Sequence, residues 1–170
     1  SLVVDGSITD ADGSAVEAIA VISTDVGADT NGVWQYSLDS GTTWSEITGI
    51  GTAADNVLLL GPTDLIRYVP GENWYGTSPN IRYRAWDQST GTAGDIVSSS
   101  TSGGSTAFST AIEQAYITVN AVNDAPTFSG LDGAPSFTEG GSVVTFDSDV
   151  TISDFELDNA SDYSGASLTI

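Results

Sequence analysis

The sequence predicts an all-β protein of the sandwich or barrel kind. Ser, Thr, Gly, Asp and Val dominate the composition, and the long runs of Leu, Glu, Lys and Ala that build helices are missing. Short alternating apolar runs recur along the chain and are bounded by Gly, Asn, Asp and Ser. Hydrophobic residues make up 39% of the chain, so a core can form.

The candidate strands follow from this alternation. In chain order they are residues 16–23, 33–38, 43–47, 57–60, 65–69, 81–86, 111–119, 143–146 and 166–170. No helix is predicted, because even the long run that begins at Val16 is too rich in β-branched residues. The Ser/Thr/Gly tract at 98–105 is predicted to be a flexible loop.

The segment VNDAP at 122–126 marks a predicted domain boundary, because Pro126 cannot donate to a β-ladder. A weak internal repeat supports this division. ITDAD at 8–12 returns as ISDFE at 152–156, an offset of 144 residues, and a β-branched segment follows each copy. We expect residues 1–125 to form one repeat that begins partway in, and residues 126–170 to form the first part of the next.

The charge is strongly acidic. Asp and Glu number 23 against three Arg and no Lys, which gives a net charge of −20. Such a charge disfavours nucleic acids and anionic membranes as partners. The carboxylates also repel one another in the folded state, so divalent cations or solvation at high salt are expected to offset this repulsion. The alternative is a simple solvated acidic surface.

The chain has no Cys and no His. Disulfides, thiol chemistry and the commonest transition-metal ligand are therefore excluded. Carboxylates and carbonyl oxygens remain, and these suit Ca²⁺ or Mg²⁺. No apolar run reaches the roughly 18 residues of a membrane span, and no signal peptide is recognised.

The stretch SLDSGTTW at 37–44 fits the S-x-D-x-G-x-x-W pattern through Ser37, Asp39, Gly41 and Trp44. It resembles the Asp box of sialidase propellers. A propeller would carry several boxes at blade spacing, whereas this chain has one. The box therefore predicts a structural hairpin, and we predict no enzyme activity and no catalytic residues.

Several motifs resemble the cadherin-like repeats of giant bacterial surface proteins and adhesins. These motifs are VNDAP, the EGG at 139–141 and the D-x-[DE] pairs. RYVPGENWYG followed by YRAWDQSTGTAG is similar to the late-strand pattern of those repeats, with matching positions at Tyr68, Pro70, Gly76, Tyr83 and Asp87. The resemblance implies an immunoglobulin- or cadherin-like β-sandwich repeat, followed by the opening strands of the next repeat.

The same resemblance implies Ca²⁺ as a cofactor at the junctions between repeats. The implied metal ligands are Asp10, Asp12, Asn123, Asp124, Glu139, Asp154 and Glu156. The i, i+2 spacing of the acid pairs would let an extended loop present both carboxylates to one side. The alternative is that these residues only form turns, as Asp does readily.

Three functions remain open at this point. The first is a Ca²⁺-binding stalk repeat of a secreted or cell-surface bacterial adhesin. The partners of such a repeat are neighbouring repeats of the same chain or identical subunits. Any glycan or cell-surface ligand would bind to other domains of the adhesin. The second is an extracellular filament subunit, assembled head-to-tail by strand donation from residues 126–170. The third and least favoured is a glycan-binding module, because core or cross-strand packing fits most of the tryptophans better.

Overall fold

A computed structural model describes Ile8 and residues 17–25, 31–51 and 56–164 of the chain. The chain divides into two compact units, Ser1–Asn120 and Ala121–Ile170. The VNDAP segment therefore belongs to the second unit. Within the described ranges, no helix has the length and apolar character needed to cross a membrane.

The first unit contains ten strands among its described residues. They are β1 (Ala18–Ser23), β2 (Gly32–Ser37), β3 (Ser45–Glu46), β4 (Asn56–Leu60), β5 (Leu65–Pro70), β6 (Gly76–Thr77), β7 (Ile81–Trp86), β8 (Ile96–Ser98), β9 (Glu113–Ala115) and β10 (Thr118–Val119). The second unit contains β11 (Thr127–Ser129), β12 (Thr151–Ser153) and the short helix α1 (Phe155–Ala160).

The strands of the first unit form antiparallel sheets. One sheet has five strands in the order β8-β4-β1-β7-β9, another has three in the order β3-β2-β5, and β10 pairs with β6. A single core cluster joins the two larger sheets, since it contains Ile19 and Leu58 from one and Trp34 and Tyr68 from the other. This packing confirms the predicted all-β sandwich.

A second core cluster covers the opposite face of the five-stranded sheet. Ala20 and Leu59 of its central strands pack there with Trp86, Ala107 and Phe108, the last two from the long connection between β8 and β9. The central strands are therefore buried on both faces, which explains why AIAV and VLLL are continuous apolar runs rather than alternating ones.

The second unit buries very little. Its β11 and β12 pair antiparallel, with Phe128 opposite Ile152. Among its described residues, 121–164, the one buried side chain is Asp154, and large apolar residues such as Phe137 and Val143 are exposed by 67% and 99%. A two-stranded sheet without a core is marginal in water.

Several predicted elements need correction. The sequence predicts no helix, yet α1 forms because Asp154 caps its first turn through a hydrogen bond from the backbone N–H of Leu157. Residues 143–146 form no strand and are exposed. The predicted strand 111–119 is broken into β9 and β10, which pair with different partners. Residues 166–170 and the pair Asp10 and Asp12 lie outside the described residues.

Candidate metal centre

Three aspartates of the second unit form a cluster. Asp132 follows β11, and Asp147 and Asp149 precede β12, so the antiparallel pairing of these strands brings them to the same end of the ladder. One carboxylate oxygen from each lies within 4.8 Å of the others. Within the described residues, no other three acidic side chains lie as close to one another as these.

Asp147 of this Asp132–Asp147–Asp149 cluster accepts three backbone hydrogen bonds. Its Oδ2 accepts the backbone N–H groups of Gly133 (2.7 Å) and Asp132 (3.1 Å), and its Oδ1 accepts that of Asp149 (3.2 Å). These bonds, led by that from Gly133, lower the pKa of Asp147 to about 2. The carboxylate is therefore negatively charged at any physiological pH.

Two glycines allow the chain segments around the cluster to approach closely. Gly130 has a φ of +71°, and a Cβ there would lie 2.7 Å from the carbonyl oxygen of Asp149. A Cβ at Gly133 would lie 2.3 Å from the carbonyl oxygen of Phe146 and 2.9 Å from Oδ2 of Asp147. The spacing of the three carboxylates therefore depends on glycine at both positions.

The donor set of the cluster determines what it could hold. Three carboxylates, two of them exposed and one half-buried, offer hard oxygen ligands and no nitrogen or sulfur. Such a set could hold a metal ion, and oxygen-only ligands suit hard divalent cations. The sequence offered one signal for this cluster, the i, i+2 acids of DSD at 147–149, which is the same spacing as in the predicted ligand pairs.

The predicted ligands of the second unit are partly brought together. The backbone N–H of Asp124 donates to Oε2 of Glu156 over 3.2 Å, so the VNDAP segment contacts α1 directly. The side-chain amide of the neighbouring Asn123 donates to the carbonyl oxygen of Asp124 over 2.7 Å. The VNDAP linker therefore contacts the Asp154/Glu156 pair, but through a backbone N–H group and not through two neighbouring carboxylates.

Two further predicted ligands, Asp154 and Glu139, have structural roles or positions of their own. Asp154 is 7% exposed, and its Oδ1 accepts the N–H of Leu157 at 3.0 Å as the helix cap. Glu139 is exposed in a turn that the N–H of Gly141 closes onto the carbonyl of Thr138. The D-x-E pair thus starts a helix instead of lying in an extended loop.

The Asp box in the first unit forms a hairpin between β2 and β3, as predicted. Asp39 Oδ1 accepts the N–H of Thr43 (2.8 Å) and the hydroxyl of Ser37 (2.8 Å), and its Oδ2 accepts the hydroxyl of Thr43 (2.7 Å). These bonds, the backbone one first, lower the pKa of Asp39 to about 2. The box carboxylate is thus used to hold its own turn.

Packing explains the four tryptophans. Trp34 and Trp86 are buried in the two core clusters, and Trp74 packs edge-on against Tyr68. The guanidinium of Arg67 lies 4.0 Å from the ring centre of Trp44. The geometry therefore assigns each indole a partner within the fold.

No protein-family model matches the chain, and neither the curated proteins nor the solved structures give a match. The cadherin-like resemblance therefore stays a prediction based on the motifs alone.

Proposed function

We propose that this chain is a Ca²⁺-binding structural repeat of a secreted or cell-surface bacterial adhesin, in which the ion stiffens the second unit and the linker that begins it. The observation that carries the proposal is the contrast within that unit. Its described residues bury no apolar side chain, yet three carboxylates converge in the Asp132–Asp147–Asp149 cluster.

The second unit is strongly acidic. It contains nine acidic residues and no basic one. Without a hydrophobic core, the unit needs another source of cohesion to offset the entropy of ordering its chain. A divalent cation at the cluster would neutralise repelling carboxylates and cross-link the segments that follow β11 and precede β12.

Asp124 and Glu156 support a second cation site at the linker. The backbone N–H of Asp124 already donates to Glu156 of α1. A cation bound by these two carboxylates, with carbonyl oxygens and water as further ligands, would tie the VNDAP segment to α1. Extracellular modules bind Ca²⁺ at ~10⁻⁴–10⁻³ M, so the repeat would stiffen after secretion and not in the cytosol.

Calorimetric titration of the chelated chain with Ca²⁺ and with Mg²⁺ tests the proposal. We expect binding of Ca²⁺ at submillimolar to millimolar concentrations and weaker binding of Mg²⁺. Amide hydrogen exchange should slow in residues 130–133 and 147–149 as Ca²⁺ is added, because ligand binding stabilises the folded state.

Paired variants locate the ion. D147N/D149N should abolish the exchange protection in the second unit, and D124N/E156Q should reduce it near the linker. Glu46→Gln, which removes an exposed charge of the first unit, serves as the control and should change neither. If Ca²⁺ leaves exchange unchanged in the parent chain, the carboxylates are surface charge and the proposal is wrong.

A filament subunit is the second candidate, and the exposed apolar side chains of the second unit favour it. Phe137, Val143, Val144 and Phe146 line an open groove of about 480 Å³. Donation of this segment, as part of residues 126–170, to a neighbouring copy would cover these side chains. Light scattering distinguishes the candidates, because the filament requires long particles where the stalk repeat requires monomers.

A further inference from the structure

The first unit contains an open apolar groove at the edge of its sandwich. Its volume is about 420 Å³, and its wall includes Ile19 of β1, Trp34 of β2, Leu60 of β4 and Ile66 of β5. These side chains belong to, or pack against, the core cluster between the two sheets. The groove is therefore a place where the interior of the sandwich reaches solvent.

The rim of the groove is exposed and largely apolar. Leu65 is 40% exposed, Ile117 43% and Tyr116 61%. Tyr116 and Ile117 lie where the chain leaves β9 and has not yet begun β10. The groove thus combines an apolar floor with aliphatic and aromatic side chains that a ligand could cover.

A free strand edge starts at this groove. In the three-stranded sheet, β5 pairs with β2 on one side, and no other described strand pairs with its second side. Leu65 and Ile66, the first residues of β5, line the groove, and Pro70 ends the strand at the other end. An extended chain could therefore add to this edge over the first residues of β5.

Two carboxylates set the charge of the groove. Glu17 and Asp64 both line it, and no basic residue is found among its described lining residues. Each already accepts one backbone N–H, Glu17 from Ile8 (3.3 Å) and Asp64 from Gly61 (2.7 Å), which orients the carboxylate. With a net charge of −20 on the chain, the groove favours a cationic ligand.

We propose that this groove binds an extended segment of another protein in which lysine or arginine residues flank a run whose alternate side chains are aliphatic. The segment would pair with the free edge of β5, place its aliphatic side chains on Ile19, Leu60 and Ile66, and place its cations near Glu17 and Asp64. This inference does not depend on the Ca²⁺ proposal.

A second copy of this chain fits the groove poorly. The chain has three arginines and no lysine. Arg82 and Arg84 belong to β7, which lies between β1 and β9 in the five-stranded sheet and is paired on both sides. Arg67 lies over the ring of Trp44 and donates to Gln35. Charge complementarity therefore favours a partner of different, basic composition.

Fluorescence anisotropy tests the proposal with a labelled peptide that has valine and serine in alternation and two lysines at each end. We expect saturable binding to the full chain. A peptide in which serine replaces each valine should bind at least tenfold more weakly, because it has no apolar side chains for the groove. Two N-methylated forms of the first peptide are compared, one methylated at the valine amides and one at the serine amides. One of the two should not bind, because neighbouring amides of a strand point to opposite sides and one set must face β5.

Variants of the chain locate the binding site. E17Q/D64N should lower the affinity about three- to tenfold, as expected for two partly exposed charge pairs, and Tyr116→Ser should lower it as well. The matched control Glu46→Gln should not change it. Thermal melts of each variant verify that the fold is kept, and the D64N change leaves a side-chain oxygen that can still accept the N–H of Gly61.

Other outcomes would overturn the proposal. Absence of binding, undiminished binding of both N-methylated peptides, or equal loss of affinity with Glu46→Gln would each exclude pairing at this groove. If sedimentation shows that the chain self-associates and that Tyr116→Ser prevents this, a second copy occupies the groove and the basic partner is wrong.

Discussion

The backbone N–H of Gly133 donates to Oδ2 of Asp147 over 2.7 Å, the shortest of the three backbone hydrogen bonds to that carboxylate. This contact joins the chain after β11 to the chain before β12 at the level of the acidic cluster. It requires glycine, because a Cβ at position 133 would lie 2.3 Å from the carbonyl oxygen of Phe146.

Gly133→Ala should therefore separate the two segments and destabilise the second unit by about 1–3 kcal/mol, as overpacking typically does. Hydrogen exchange of residues 147–149 should accelerate, while the first unit melts as before. Gly140→Ala is the matched control, since nothing lies within 4 Å of its Cβ position and only its positive φ is unfavourable. Equal effects of the two substitutions would contradict the close approach.

The titration of Asp39 should report the hydrogen bonds of the Asp box. Its pKa is lowered from 3.8 to about 2, so the charged form stabilises the folded hairpin above about pH 4, and this contribution is lost as the pH falls through 2. Thr43→Val removes the hydroxyl but keeps the backbone N–H, and should raise the pKa part of the way to 3.8. NMR of the carboxyl carbon measures both values; an ordinary pKa in the parent chain would refute the geometry.

Asp154 can be tested for its two possible roles separately. Asp154→Ala removes the helix cap and should destabilise α1 by about 0.5–2 kcal/mol, seen as faster exchange at Leu157. Asp154→Ser keeps a capping oxygen without the carboxylate, so it should keep α1. If the serine variant also keeps the Ca²⁺ affinity, Asp154 is a cap and not a ligand.

Leu59 should be among the residues on which the stability of the first unit depends most. Its side chain is fully buried in the cluster with Trp86 and Phe108. Leu59→Ala should lower the free energy of unfolding by about 2–5 kcal/mol in urea denaturation. Ile96→Ala, at a side chain that is 47% exposed, should lower it much less. Similar losses at both positions would mean that the second cluster is not a core.

The sequence predicts the strands of the first unit well where side-chain chemistry decides them. Runs such as AIAV and VLLL are apolar enough to need burial on both faces, and the Asp box contains every residue that its turn uses. The break between β9 and β10 is different, because the run around Tyr116 continues as one β-rich segment. Which sheet each half joins depends on long-range pairing that local alternation does not encode.

The second unit is harder to predict for physical reasons. VVTF at 143–146 has the composition of a strand, yet it forms none. Composition indicates that a segment favours burial, but it does not indicate whether a neighbouring strand is present to bury it. Helix α1 depends on one capping bond to Asp154. The acidic cluster joins Asp132 to residues 15 and 17 positions further along the chain, and only the pairing of β11 with β12 brings them together.

The last strand of the first unit, β10, pairs with β6 over only two residues. It leads out of the unit and is held by the two residue pairs Thr118–Thr77 and Val119–Gly76, and next to it Ile117 exchanges hydrogen bonds with Ser78. A pull on the chain at Asn120 loads these few bonds before any of the ladder around β1. The outgoing strand should peel first and lengthen the molecule by a small step, while the doubly covered sheet stays folded and lets the strand rejoin when the load falls.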